Sequence, residues 1–283
     1  MRARLAIITI ASGALAACSL LTDLSGLSGA PNAPLDAAAA DAGTATGEAG
    51  ANDAAPGAEA GLGAFTCPAD AIFCEDFEST LDAWNKDEQQ GATCAATNTR
   101  PHRGAKSLRA LAPFDSAAFA MNANQNQCYL EHPLPLQTSG VLAIRAYVYL
   151  VGAGQTGGFS LPWLRDPTPT GCAAGTLVSG TSDGKWQVLS YSGTGYHELD
   201  SLDAPVFDRW LCIEWVLDLR ANGHVKMSVD GALVIDKDEV LADSNPFCGY
   251  RALDVGIVGH RSSGEVEAYW DDIVVASHPI GCN

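Results

Sequence analysis

The sequence predicts an all-β fold: two antiparallel sheets stacked as a sandwich of jelly-roll type, disulfide-stabilised, behind a disordered N-terminal tether. Three observations predict it. Every second residue is apolar through 141–150 and 210–219, with Arg145, Tyr147 and Tyr149 or Glu214 and Asp218 on the other face, the period of a strand with one buried face. Asn222-Gly223 and Asp230-Gly231, dipeptides that accept the positive φ of tight hairpin turns, separate short apolar runs. No stretch carries the sustained 3.6-residue apolar period of a long amphipathic helix.

The 283 residues begin with MRARLAIITIASGALAA. Arg2 and Arg4 precede an uncharged apolar run from Leu5 to Ala17, so residues 1–17 read as a secretory signal rather than a fold element. The run ends Leu15-Ala16-Ala17-Cys18, which resembles the bacterial lipobox. That resemblance implies diacylglycerol on the Cys18 thiol, and Ser19, not Asp, implies sorting to the outer membrane, facing either the periplasm or the cell surface. Several acyl chains would anchor the protein firmly, at about 0.8 kcal/mol per buried CH₂. An ordinary secretory signal with a chance cysteine also fits these residues.

Residues 18–64 carry the lipidated cysteine and then the tether. Ala, Gly and Pro make up 26 of the 46 residues at 19–64, with six acids and no aromatic or basic residue. Such a segment cannot bury enough apolar area to offset its ordering entropy. As a flexible coil it would reach roughly 35–40 Å.

Residues 65–283 form the predicted jelly-roll domain. All six Trp and eight of the nine Cys lie here, and an even cysteine count in an exported domain reads as disulfides. Sequence proximity points to Cys67–Cys74 and, less directly, Cys94–Cys128; the pairing of the other four stays open. Without a Cys-x₂-Cys pair, a zinc reading is poor. The domain holds 14 basic and 27 acidic residues, a net charge of −13. That excludes nucleic acid as a natural partner and disfavours anionic polysaccharide, unless a local basic groove overrides the field.

Strand 141–150 sets Leu142, Ile144, Ala146, Val148 and Leu150 against Arg145, Tyr147 and Tyr149. Residues 151–175, rich in Gly and Pro, read as a loop. Strands 176–179 and 185–191 flank the turn residues Ser182-Asp183-Gly184. Gly180 to Gly184 matches Gly-x-Ser-x-Gly, but a strand follows where a nucleophile elbow needs a helix, so it reads as a hairpin. Strand 210–219 groups Leu211, Ile213, Trp215, Leu217 and Leu219 opposite Glu214 and Asp218. Strands 224–229, 232–236, 255–259 and 265–276 complete the reading.

Three segments together resemble the concanavalin A-like lectin/glucanase superfamily in its laminin-G-like form, over roughly residues 70–277. They are Cys74-Glu75-Asp76-Phe77-Glu78 with Trp84 behind, Trp210 through Gly231, and Tyr269-Trp270-Asp271-Asp272-Ile273-Val274-Val275. The resemblance implies that the first and last strands pair, bringing the acids of 75–78 beside Asp271 and Asp272. It also implies a structural calcium, with Glu78 and Asp272 as the leading ligands and Asp76 and Asp271 beside them; calcium takes six to eight oxygens. The glucanase signature Glu-x-Asp-x-x-Glu is missing. Glu265 and Glu267 are two apart but lack a third acid, and the lyase strands with Gln-Ile-His are absent.

A binding role remains. If strand 210–219 joins the sheet of 141–150, then Arg145, Tyr147, Tyr149, Trp210 and Glu214 share one outward face suited to a glycan. The competing reading is an Arg145–Glu214 ion pair with the tyrosines covered by loop 151–175. The sequence thus leads to a cell-envelope lipoprotein whose non-catalytic domain binds glycan or an envelope protein. A carbohydrate-active enzyme on the same fold is the alternative.

Overall fold

The computed structural model describes residues 63–282 apart from 114–125, 153–157, 166–175, 183, 193–194, 202, 220–222, 239–248 and 261–263. The signal segment, Cys18, nearly all of the tether, Asn222, Cys172 and Cys248 lie outside the described residues.

In chain order the described strands are β1 (Phe73–Glu75), β2 (Asn85–Gln89), β3 (Thr93–Thr97), β4 (Ser107–Ala112), β5 (Asn126–Gln137), β6 (Val141–Leu150), β7 (Gly158–Arg165), β8 (Thr176–Ser182), β9 (Lys185–Ser192), β10 (Gly195–Asp200), β11 (Trp210–Asp218), β12 (His224–Val229), β13 (Ala232–Asp238), β14 (Tyr250–His260) and β15 (Val266–Ala276). The described helical structure is a 3-10 turn at Leu81–Ala83. An eight-stranded sheet runs β13-β12-β11-β6-β15-β4-β3, with β1 also on β15. A seven-stranded sheet runs β10-β9-β8-β7-β14-β5-β2. All neighbouring strands are antiparallel.

Alternation explains the layering. The apolar set of β6 and Leu211, Ile213, Trp215 and Leu217 of β11 point inward, where they meet Leu130, Phe159, Leu161, Trp186, Val188, Leu253 and Ile257 of the other sheet in one buried core. Each large side chain buried this way contributes about 1.5–3 kcal/mol. The β12–β13 hairpin turns on Asp230 and Gly231 at φ 51° and 79°, as its dipeptide required. Ser182 pairs with Lys185, so Gly180 to Gly184 is a strand and hairpin, not a nucleophile elbow.

The opening and closing strands pair, Phe73 with Val275, Cys74 with Val274 and Glu75 with Ile273. Cys67–Cys74 and Cys94–Cys128 are both present, the second tying β3 to β5 across the sandwich. A third bridge, Cys212–Cys282, fixes the C-terminal tail to β11.

The predicted loop 151–175 is corrected. Its middle is β7, which lies between β8 and β14 inside the seven-stranded sheet. Pro162 falls where the register of β7 and β8 shifts, a bulge that accommodates a residue without an N–H.

Candidate functional site

Strand pairing sets the outward face of the eight-stranded sheet in rows. One row runs Trp210 (β11), Tyr149 (β6), Tyr269 (β15) and Arg109 (β4); the next has Cys212, Tyr147 and Asp271. A third row holds Glu214 and Arg145, with Val274 beyond a bulge. The five residues singled out for ligand contact therefore do share one face.

That face is partly roofed. Glu214 is 8% exposed, and its Oε1 accepts hydrogen bonds from Ile280 N at 2.5 Å and Gly281 N at 3.0 Å. Glu214 holds the tail rather than offering itself to a ligand. The Arg145–Glu214 ion pair does not form either: Arg145 Nη1 donates to Gly281 O at 3.5 Å, and its guanidinium lies 5.8 Å from the Tyr147 ring centre. Burial holds the Arg145 pKa below its usual value.

Among the described residues, the cover over the tyrosines comes from 98–106. The His102 ring stacks on Tyr147 at 3.7 Å and meets the Trp210 edge at 5.3 Å. Buried carboxylates hold this segment. Asp271 Oδ2 accepts from His102 N at 2.8 Å and Arg103 N at 3.2 Å, while Asp271 Oδ1 accepts from Asp272 N. Asp272 Oδ2 lies 2.7 Å from His102 Nδ1 and 3.3 Å from Arg103 Nε. Glu78 Oε1 accepts from Ala105 N and Lys106 N, and Asp76 Oδ1 accepts from Glu78 N. Burial, then the Asp272 charge, push the Asp271 pKa up against its three backbone donors.

These contacts decide how the calcium set fits. Asp76, Glu78, Asp271 and Asp272 each already accept protein N–H groups or an ion pair. Among the described residues no three His, Cys, Asp or Glu converge as metal ligands. As placed, Glu78, Asp271 and Asp272 bind the 98–106 segment and Asp76 caps Glu78 N, so the calcium expectation rests on the sequence resemblance alone.

Beside the roof lies a shelf on which Arg100 and Trp210 are half-buried over the buried Tyr149 and Tyr269. Arg100 sits 4.4 Å from the Tyr149 ring centre and 5.7 Å from that of Tyr269, and its Nη1 donates to Tyr149 Oη at 2.8 Å. The half-buried Trp210 stands edge-on to Tyr149 at 5.8 Å. Tyr269 Oη donates to Glu267 Oε1, which also accepts from Arg109 Nε at 2.6 Å. Burial raises the Tyr149 pKa, and Arg100 opposes that. Arg100, His102 and Tyr269 were missed as site residues. A signal existed: basic residues recur every third position at Arg100, Arg103, Lys106 and Arg109 in an otherwise acidic chain.

The outward face of the seven-stranded sheet carries a second polar group. Asp254 and Glu131 are cross-strand partners, and Arg165 bridges them. The Asp254 side chain is 2% exposed, and burial pushes its pKa up to about 6 despite Arg165, with Asp87 adding to the rise. A raised folded-state pKa means that the fold holds the proton more tightly than the unfolded chain. Stability therefore falls as pH rises from about 4 through about 6, by up to about 3 kcal/mol. Between pH 4.5 and 7.5, urea unfolding of the wild type should lose about 2 kcal/mol more than Asp254→Asn does. Parallel pH profiles would remove Asp254 as the source.

No protein-family model and no curated protein matches the chain. Solved structures do. The cellulose-induced protein Cip1 is similar with a TM-score of 0.57 and 16% identity, over 75% of this chain and 100% of that one. An endo-β-1,4-glucuronan lyase from the fungus Trichoderma reesei is similar with a TM-score of 0.59 and 13% identity, over 74% and 96%. At such identities the likeness speaks to architecture, and the chain folds as a concanavalin A-like jelly roll.

Proposed function

We propose that the domain is a non-catalytic glycan-binding module whose ligand lies on the Trp210–Tyr149–Arg100 shelf. One observation carries this: a guanidinium laid over two tyrosine rings beside a partly exposed tryptophan. Sugars present C–H faces to aromatic rings, and planar donors fix their hydroxyls. Tyr147 and His102 form the wall behind the shelf, with Arg145 on the far side of Tyr147. The similarity to a glucuronan lyase supports a fold used on polysaccharide. A lipid on Cys18 and the 18–64 tether would hold the module at the outer membrane, where loss of palmitate labelling in Cys18→Ser is expected. A glycan array on the purified protein should give binding that Trp210→Ala weakens at least about tenfold. Glu131→Gln, on the opposite sheet, should leave it unchanged. Binding that survives Trp210→Ala intact would move the site elsewhere.

A second reading, a carbohydrate-active enzyme, follows from the likeness in fold to the glucuronan lyase. New reducing ends or unsaturated products released from a glycan would establish it.

A further inference from the structure

The domain's net charge of −13 argues against an acidic ligand, yet the charges on the shelf are arranged otherwise. Four of the seven described arginines have a carboxylate: Arg103 has Asp272, Arg109 has Glu267, Arg165 has Glu131 and Asp254, and Arg209 has Asp230. Arg100 and Arg145 do not. Among the described residues Arg100 touches two tyrosine rings and donates to a phenol oxygen. Arg145 reaches one backbone carbonyl, and its buried Nε has no partner. Both residues are half-buried, so each has lost part of its hydration; neither has a carboxylate in direct contact, although Asp272 and Glu214 act on Arg145 from further off.

The bordering acids are committed. Glu267 is taken by Arg109 and the Tyr269 hydroxyl, Asp230 by Arg209, and Asp208 Oδ1 by Gly152 N. Asp271 and Asp272 are buried under the segment they hold. Apart from the exposed Asp208, whose charge is felt at Tyr149, the charged groups left open beside the shelf are donors. A guanidinium fork matches a carboxylate with two parallel N–H···O bonds, a geometry that neutral hydroxyls do not satisfy.

We propose that the shelf selects a carboxylated sugar of the uronate type, its carboxylate on the Arg100 guanidinium and its ring against Trp210. This rests on the glycan-binding reading above and adds the ligand class. The aromatic floor favours a sugar over a bare organic anion, because a pyranose ring offers C–H groups to Trp210 while its carboxylate reaches the cation.

The test uses one backbone in two charge states. A β-1,4-linked glucuronate hexamer and its carboxyl-reduced counterpart, the glucose hexamer, are titrated calorimetrically into the full-length protein. A glutamate-rich peptide of equal charge is a third arm. The acidic hexamer should bind at least about tenfold more tightly than the neutral one. Arg100→Gln should erase that preference, and Arg100→Lys should restore it in part, with melting temperatures unchanged. Equal affinity for the two hexamers, or a preference that survives Arg100→Gln, overturns the uronate proposal while glycan binding stands. Tighter peptide binding than sugar binding overturns it in favour of a protein partner. If neither hexamer binds and a glycan array is silent, both readings fall.

Discussion

Adding one methyl group at Gly256 is expected to cost more than about 4 kcal/mol and to leave the domain insoluble or unfolded at ambient temperature. Gly256 lies mid-strand in β14, opposite Tyr129, with φ +153°. An alanine Cβ there would stand 1.9 Å from the Cys128 carbonyl oxygen and 3.1 Å from the Tyr129 Cα. These obstacles are backbone, and β5 cannot retreat because it is bonded on its other side to β2. Gly184→Ala is the control. Its φ of +74° is unfavourable to alanine, but its Cβ would meet nothing within 4 Å, so a loss of about 1 kcal/mol is expected. Thermal unfolding of both variants checks the contrast. A Gly256→Ala protein melting within a few degrees of wild type would mean that the β5–β14 approach is looser than described.

Asp271→Ala should be nearly as damaging, at about 3–5 kcal/mol, because it strips the acceptor from three backbone N–H groups in the interior. The loss should be local in its first effect. Without Asp271, residues 98–106 lose one of three carboxylate anchors, the one at His102 N and Arg103 N, and trypsin should cut at Arg100, Arg103 and Lys106 before the rest of the domain yields. Asp271→Asn retains one carbonyl acceptor and sheds a carboxyl whose ionisation burial opposes, so it should be milder by about half. Denaturant unfolding and limited proteolysis measure the two effects separately. Equal stability of the Ala and Asn variants would refute the hydrogen-bonding account.

The parts of the fold that were legible are those where one physical rule dominates. β6 and β11 have a buried inner face and a polar outer one, so alternation alone identified them and placed Tyr147, Tyr149 and Trp210 together. Other strands were hidden by local features. β2 is exposed along its whole length and has no apolar face to reveal it. β5 contains Pro133 and Pro135, and β7 contains Pro162; both strands have register shifts that interrupt their pattern. Cys212–Cys282 spans 70 residues and could not be chosen from spacing, whereas Cys67–Cys74 spans seven and could. The site shows the same division. Its aromatic floor follows from periodicity in two strands. Its roof is an irregular segment held by carboxylates about 170 residues away, a contact that no local pattern announces.

β15 lies at the centre of the eight-stranded sheet, beside β6, β4 and β1, yet it is the last strand of the chain. During synthesis, therefore, three strands wait for a partner made after all the other described strands. Such long-range closure makes folding slow, and a message cut short before Ile273 would yield no smaller stable product. β15 must exist before the middle of this sheet can close.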